Sequence, residues 1–159
     1  MATESLAAAL EREHHEIDEA VLDIASGRTL EAGRNQTEPT TSVIDALRRH
    51  IYLEEEFLFP PLRAAGLVAP LFVMVREHGR LWRTLESLQL TLSGSTVSPS
   101  ALHLCHELAV QLQHHNSKEE RILYPQADRV LPPSANAQLR AFLDCGQMPE
   151  GWVCHGARS

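Results

Sequence analysis

A histidine and a glutamate four residues apart occur twice, in two segments that resemble each other. The first copy contains His50 and Glu54, and the second contains His115 and Glu119. In both copies a leucine stands three residues before the histidine, a second glutamate follows the first, and an aromatic residue and a proline end the segment. Side chains four residues apart lie on one face of a helix, close enough to serve one site. The repeat therefore predicts two helices that contribute equivalent ligands.

A shorter Arg-Glu-His pattern, followed three residues after the histidine by an apolar residue, also occurs twice. It contains His14 in the first copy and His78 in the second. The chain thus reads as two helix-pair halves related by a pseudo-twofold axis. In each half, one helix supplies a histidine and the next supplies a histidine and a glutamate. Apolar residues at helical spacing flank all six side chains, which we therefore expect on core-facing stripes.

Two buried carboxylates need positive charge nearby. Without it each would cost on the order of several kcal/mol or would take up a proton. Two divalent or trivalent metal ions resolve this conflict, because two bridging carboxylates would then give each ion about two imidazole nitrogens and two carboxylate oxygens. Nitrogen and oxygen ligands without thiolate suit iron or manganese, and zinc can also bind such a set. The Glu-x-x-His order of ferritin-type sites occurs only once near the site, at Glu11 to His14, which disfavours a ferritin-like protein.

Turn and capping residues divide the chain into four long helices and a shorter fifth one. The first predicted helix runs from about Glu4 to Ala25 with Thr3 as N-cap, and the second runs from a capping box at Ser42 and Asp45 to just before Pro60, after a predicted loop over residues 28–40. The third runs from Pro70 to Ser93 and Gly94, and the fourth from the N-cap Ser98 to just before Pro125. The short fifth helix is predicted from Ser134 to Leu143. No segment has the alternation of a strand. We expect an all-α protein, an up-down-up-down four-helix bundle over residues 1–130, and a short helix with a flexible tail over residues 131–159.

The doubled motif, over about residues 6–125, resembles the hemerythrin family in its HHE cation-binding branch. The resemblance implies a non-heme di-iron centre bridged by oxygen and by carboxylates. Its implied ligands are His14, His50, Glu54, His78, His115 and Glu119. Oxygen-carrying members have a further histidine one turn from the first on the third helix. Met74 and Trp82 stand at those positions here, so this fifth histidine is missing.

Several neighbouring residues leave alternatives open. His15 could replace His14 as the ligand of the first helix, although the internal repeat favours His14. Glu55 or Glu120 could hold an imidazole in place. We expect His114 on the flank of its helix, His103 and His106 at the surface, and Cys105 in the core as a small apolar residue. Cys145, Cys154 and His155 form either an accessory metal or redox site or part of a mobile tail.

The composition of the chain argues against a nucleic-acid-binding protein and against a membrane-spanning one. With 14 Lys and Arg against 21 Asp and Glu, the net charge of -7 argues against nucleic acid as the main partner. The longest uncharged apolar run, Leu67 to Val75, contains Pro70 and is too short to span a membrane. An acidic start without an apolar stretch, together with three cysteines, predicts a cytoplasmic protein.

A di-iron site with open positions binds small ligands. Our first hypothesis is a protein that binds or senses dioxygen, nitric oxide, peroxide or iron itself. The alternative is an enzyme of oxidative or nitrosative stress defence that turns over peroxide or nitric oxide. In a third hypothesis the metals stabilise the bundle, and its surface reports iron status to a protein partner.

Overall fold

The computed structural model describes residues 2–28, 37–92 and 97–158, and these ranges contain helices and no strand. The α-helices are α1 (Leu6–Ala25), α2 (Thr37–Leu53), α3 (Phe59–Ala64), α4 (Val68–Thr91), α5 (Pro99–Lys118), α6 (Tyr124–Val130) and α7 (Pro133–Cys145). Two π-helical turns, Glu54–Leu58 and Glu119–Leu123, join α2 to α3 and α5 to α6. A 3-10 turn, His155–Ala157, lies near the end of the chain.

The four long helices form a bundle in which α1 and α4 each contact both α2 and α5. The predicted all-α class, the four-helix bundle and the short C-terminal helix are confirmed. None of the described helices is both long enough and apolar enough to cross a membrane.

Two predicted helix starts are close to the observed ones. The hydroxyl of Ser98 accepts a hydrogen bond from the backbone N–H of Ala101 at 3.2 Å, as expected of an N-cap. Helix α1 is capped by Ser5 rather than by Thr3. The carboxylate of Asp128 in α6 also accepts a hydrogen bond from the backbone N–H of Leu6 at 2.8 Å. A residue distant in sequence thus satisfies one of the free amide groups at the start of α1.

The predicted start of the second helix is wrong. Helix α2 already begins at Thr37, so Ser42 and Asp45 lie within it and form no capping box. Part of the predicted loop, residues 29–36, and the predicted helix end at Ser93 and Gly94 lie outside the described residues.

The prolines also do not end the helices where we predicted. In both halves the chain continues through a π turn, in which Phe59 N–H donates to Glu54 O and Tyr124 N–H donates to Glu119 O. Pro60 and Pro125 then occupy the first turn of α3 and α6, where a missing N–H costs little. The π turns begin at the two glutamates of the repeat, and such turns are frequent at functional sites.

The apolar core is divided into two clusters with a polar layer between them. On α1, Leu10 belongs to one cluster and Ile17 to the other, with His14 between them. On α4, Met74 and Leu81 flank His78 in the same way. The polar layer is therefore shielded on both sides by packed apolar side chains, which makes an uncompensated charge within it costly.

The segment after α7, residues 146–158, packs against the bundle, where the sequence suggested a tail. Cys154 is fully buried, and the 3-10 turn contacts α4. The backbone N–H of His155 donates to the Glu55 carboxylate at 2.9 Å. Apolar contacts and this hydrogen bond join the segment to the bundle, where the sequence predicted a flexible tail. The domain division at residue 130 stays a prediction.

Gly156 allows the C-terminal segment to approach α4. A Cβ atom on Gly156 would lie 2.2 Å from the carbonyl oxygen of Val75, which is too close. We expect Gly156→Ala to destabilise the packed segment by about 1–3 kcal/mol and to expose the thiol of Cys154. Titration with a thiol reagent checks this, with the exposed Cys145 as internal reference. An unchanged reaction rate of Cys154 would contradict the packing.

Candidate metal centre

The six side chains singled out in the sequence lie together in the polar layer, and each is at most 3% exposed. They come from α1, α4 and the two helix–π-turn units. Their donor atoms form two overlapping sets, each with all donors within 4.8 Å of one another. Set A contains His14, His50, Glu54 and Glu119, and set B contains Glu54, His78, His115 and Glu119.

Both glutamates belong to both sets. Glu54 directs Oε1 toward set A, where it contacts His50 Nε2, and directs Oε2 toward set B, 3.2 Å from His78 Nε2. Glu119 Oε1 lies 3.5 Å from His14 Nε2 and 2.8 Å from His115 Nε2. A carboxylate placed in this way can bridge two metal ions, one in each set.

Besides the bridging glutamates, three further carboxylates each orient one of the four imidazoles. Nδ1 lies 2.9 Å from Glu13 in His50, 2.9 Å from Glu55 in His78, and 3.0 Å from Glu77 in His115. An ionised carboxylate only accepts hydrogen bonds, so Nδ1 carries the hydrogen in each case. A neutral imidazole then presents the lone pair of Nε2 to Glu54 or Glu119, which is the form that binds a metal.

The fourth histidine, His14, also has a carboxylate near its Nδ1 atom, but at a longer distance. His14 Nδ1 lies 3.9 Å from the Glu120 carboxylate, which is beyond hydrogen-bonding distance. The four outer carboxylates therefore come from equivalent positions of the two halves. Each half supplies the residue before its first histidine and the residue after its bridging glutamate.

The electrostatics of the layer favour a bound cation. Burial lowers the pKa of His50, but Glu54 and Glu13 raise it to about 9. Burial likewise lowers the pKa of His115, and Glu119 and Glu77 raise it to about 9. Burial raises the pKa of Glu54, but its imidazole neighbours, His50 above all, hold it well below its usual value. Protons would carry the compensating charge unless metal ions replace them.

The donor atoms also lack the hydrogen bonds that a purely structural polar layer would have. Glu54 Oε2, both carboxylate oxygens of Glu119, and His78 Nε2 are buried without a hydrogen bond of acceptable geometry. Leaving such an atom unsatisfied costs about 1–3 kcal/mol. Metal ions in sets A and B would satisfy these atoms, so the residues fit a pair of metal ions.

Comparison with known proteins agrees with this geometry. Residues 5–127 match the family model of the hemerythrin HHE cation binding domain. The chain belongs to this family. No solved structure is significantly similar to it.

Among curated proteins, this hemerythrin domain is similar to iron-sulfur cluster repair proteins named YtfE. It is 33% identical over 99 residues to the protein of Yersinia pseudotuberculosis serotype IB (strain PB1/+), an alignment that covers 56% of this chain and 45% of that protein. It is 30% identical over 101 residues to the protein of Escherichia coli O81 (strain ED1a), covering 57% of this chain and 46% of that protein. The chain spans about half the length of the curated relatives it matches.

Sequence reasoning missed three residues of the hemerythrin centre. Glu13 and Glu77 each precede a histidine in the repeated Arg-Glu-His pattern, and this repetition was a usable signal. The third is Tyr124, whose hydroxyl touches set A directly: it donates to Glu54 Oε1 at 2.6 Å. Burial raises the pKa of Tyr124 well above its usual value, as do Glu119 and Glu54, so the phenol is protonated in the metal-free protein.

The other candidates lie outside the two sets. His15 is exposed and pairs with Glu19 at 3.2 Å, so His14 is the histidine that α1 contributes to the layer. Cys105 is in the core, as expected, and burial raises its pKa to about 11. Five of the remaining residues are exposed (His103, His106, His114, Cys145 and His155) and three are buried (Met74, Trp82 and Cys154). Among the described residues, none of these eight joins a cluster able to hold a metal.

The outer carboxylates should strengthen metal binding without touching the metal. Glu13→Ala removes the group that fixes the Nδ1 hydrogen of His50, so we expect metal affinity to fall about 10- to 100-fold. Glu16→Ala, three residues along α1 and exposed, is the matched control and should leave the affinity unchanged. Competition with a coloured chelator measures both. Equal affinities of the two variants would show that Glu13 has no such role.

Proposed function

We propose that this hemerythrin domain binds two iron ions, one in set A and one in set B, bridged by Glu54 and Glu119. The observation that carries the proposal is that these two glutamates belong to both sets, while each set has its own pair of histidines. Nitrogen and oxygen donors without thiolate are typical of non-heme iron. Manganese or zinc would fit the same donors, so metal analysis of the purified protein is part of the test.

We further propose that the centre handles a small ligand in oxidative or nitrosative stress defence. Both bridging glutamates are fully buried, and surface depressions reach the ligand sets at His14 and at His115. Such a buried centre suits dioxygen, nitric oxide or peroxide better than an organic substrate. A pair of irons supplies the binding and reduction of such molecules. The name of the relatives, iron-sulfur cluster repair proteins, supports a role in stress defence.

The geometry favours resident iron over iron that is released as cargo. The six donors are almost fully buried, and three imidazoles are each fixed by an outer carboxylate. Release would require these contacts to open. Iron delivery during cluster repair is the second candidate function, and only the name of the relatives favours it.

The test uses the full chain loaded with iron under anaerobic conditions. We expect about two irons per chain. We also expect many equivalents of peroxide, or of nitric oxide with an added electron donor, to be consumed per centre, which would make the domain an enzyme. Saturable binding without consumption would instead indicate a sensor. His115→Ala should lower either activity at least about tenfold, and His114→Ala, its exposed neighbour, should not. A protein without iron, or an iron-loaded protein that neither binds nor consumes these ligands, would overturn the proposal. Transfer of iron to an apo iron–sulfur protein would favour delivery.

A further inference from the structure

Tyr124 is fully buried, and its hydroxyl group lies among the donors of set A. Tyr124 Oη is 2.6 Å from His14 Nε2, 3.3 Å from His50 Nε2 and 2.6 Å from Glu54 Oε1. Donor atoms that bind one metal at about 2.1 Å and at right angles lie about 3 Å from each other. The phenol oxygen therefore lies where another ligand of the same metal would lie.

The orientation of the hydroxyl group supports this. A phenol has a single hydrogen, and that of Tyr124 is donated to Glu54 Oε1. Toward His14 and His50 the oxygen therefore presents lone pairs. The imidazole lone pairs converge on the same point when the histidines are neutral. An arrangement of lone pairs facing each other is stabilised by a cation between them.

The position of the phenol is fixed by the same turn that positions a bridging glutamate. The N–H of Tyr124 donates to the carbonyl oxygen of Glu119 and ends the π turn. The ring packs in the apolar cluster that also contains Leu10 and Leu123. Tyr124 and Glu119 thus belong to one rigid unit, and metal binding requires little rearrangement of the side chain.

We propose that Tyr124 is a ligand of the metal ion in set A, in addition to the six residues named from the sequence. The proposal rests on the proposed di-iron centre. When the metal binds, an oxygen–iron bond forms and the O–H bond breaks, and the proton leaves to the buffer. Iron keeps its oxidation state in this step.

The proposed ligand Tyr124 makes the two halves of the centre different. The repeat places Phe59 at the position equivalent to Tyr124, and its ring stacks on His78 with a centroid distance of 5.4 Å. Phe59 has no oxygen to offer. The metal in set B therefore has one protein ligand fewer than the metal in set A, and the position for an external ligand lies in set B.

The test compares wild-type protein, Tyr124→Phe and Tyr52→Phe after loading with iron(III). Tyr52, the only other tyrosine, packs against Phe57 and Trp152 away from the centre and is the matched control. A phenol oxygen bound to iron(III) produces a visible charge-transfer band, and Raman excitation in this band enhances the ring vibrations. We expect the band in wild type and in Tyr52→Phe and its loss in Tyr124→Phe. Ring-deuterated tyrosine should shift the enhanced vibrations.

The outcomes separate this proposal from the di-iron centre itself. Iron-loaded wild type without enhanced phenol vibrations would overturn the role of Tyr124 and leave the di-iron centre intact. The same conclusion follows if Tyr124→Phe keeps the band. A wild-type chain that binds no iron would overturn both proposals. In Tyr52→Phe the ring-deuterated label is confined to Tyr124, so the isotope experiment on this variant remains decisive if Tyr124→Phe folds poorly.

Discussion

Replacing His14 by alanine is expected to remove most of the bound iron, whereas replacing the adjacent His15 will leave the iron content unchanged. His14 is 3% exposed and belongs to set A, while His15 is exposed, pairs with Glu19 and belongs to neither set. The two variants make the same chemical change one residue apart on the same helix. Iron analysis of the purified proteins, with helix content checked by circular dichroism, measures the difference.

The second half of the molecule offers an independent version of the same comparison. His115→Ala should lose iron, and His114→Ala, which changes an exposed residue, should not. Replacing either His14 or His115 is expected to weaken the binding of both metal ions, because Glu54 and Glu119 belong to both sets. Full iron content in His14→Ala or in His115→Ala would show that the proposed ligands are wrong. Loss of iron in His15→Ala would transfer the ligand role to that residue.

Removal of the metal is expected to lower the melting temperature by about 10 °C. A ligand present at about 1,000 times its dissociation constant stabilises the native state by about 4 kcal/mol. In a chain of this size each kcal/mol corresponds to about 2–4 °C. The physical source is the polar layer, in which Glu54 Oε2 and both oxygens of Glu119 have no hydrogen bond. Calorimetry of iron-loaded and chelator-treated protein measures the shift.

The variants described above provide the controls for this experiment. Chelator should shift the melting temperature of His15→Ala as much as that of wild type. It should not shift that of His115→Ala, which has already lost its iron. Identical melting temperatures of the loaded and chelated wild-type protein, with iron content verified, would place the metal outside the buried layer.

The clustering of the six central side chains could be predicted because helix geometry places each of them on a core-facing stripe. His50 and Glu54, four residues apart, are brought to one face by a single helix, and the repeat identifies His115 and Glu119 in the same way. Burial of two carboxylates then requires compensating positive charge, carried by metal ions or by protons. The spacing of the residues and the apolar positions around them are both visible in the chain.

The prolines show where local rules were insufficient. A proline favours the end of a helix, and the predicted helices therefore ended before Pro60 and Pro125. In the structure a π turn before each proline lets the helix continue. Phe59 and Tyr124, which end the turns, are buried inside the bundle, and their packing is a property of the assembled helices.

The bundle and the two equivalent sets of His and Glu residues could thus be predicted from the chain alone, since helical periodicity and an internal repeat are visible in the order of its residues; that the six side chains bind metal stays a prediction. Which carboxylate holds which imidazole depends instead on the packing of the helices. Glu13 meets His50 across 37 residues, and Glu77 meets His115 across 38. The placement of the Tyr124 hydroxyl, 110 residues from His14, is of the same kind. Such contacts depend on how helices pack against each other, and distances between helices are not encoded in the spacing of residues within one.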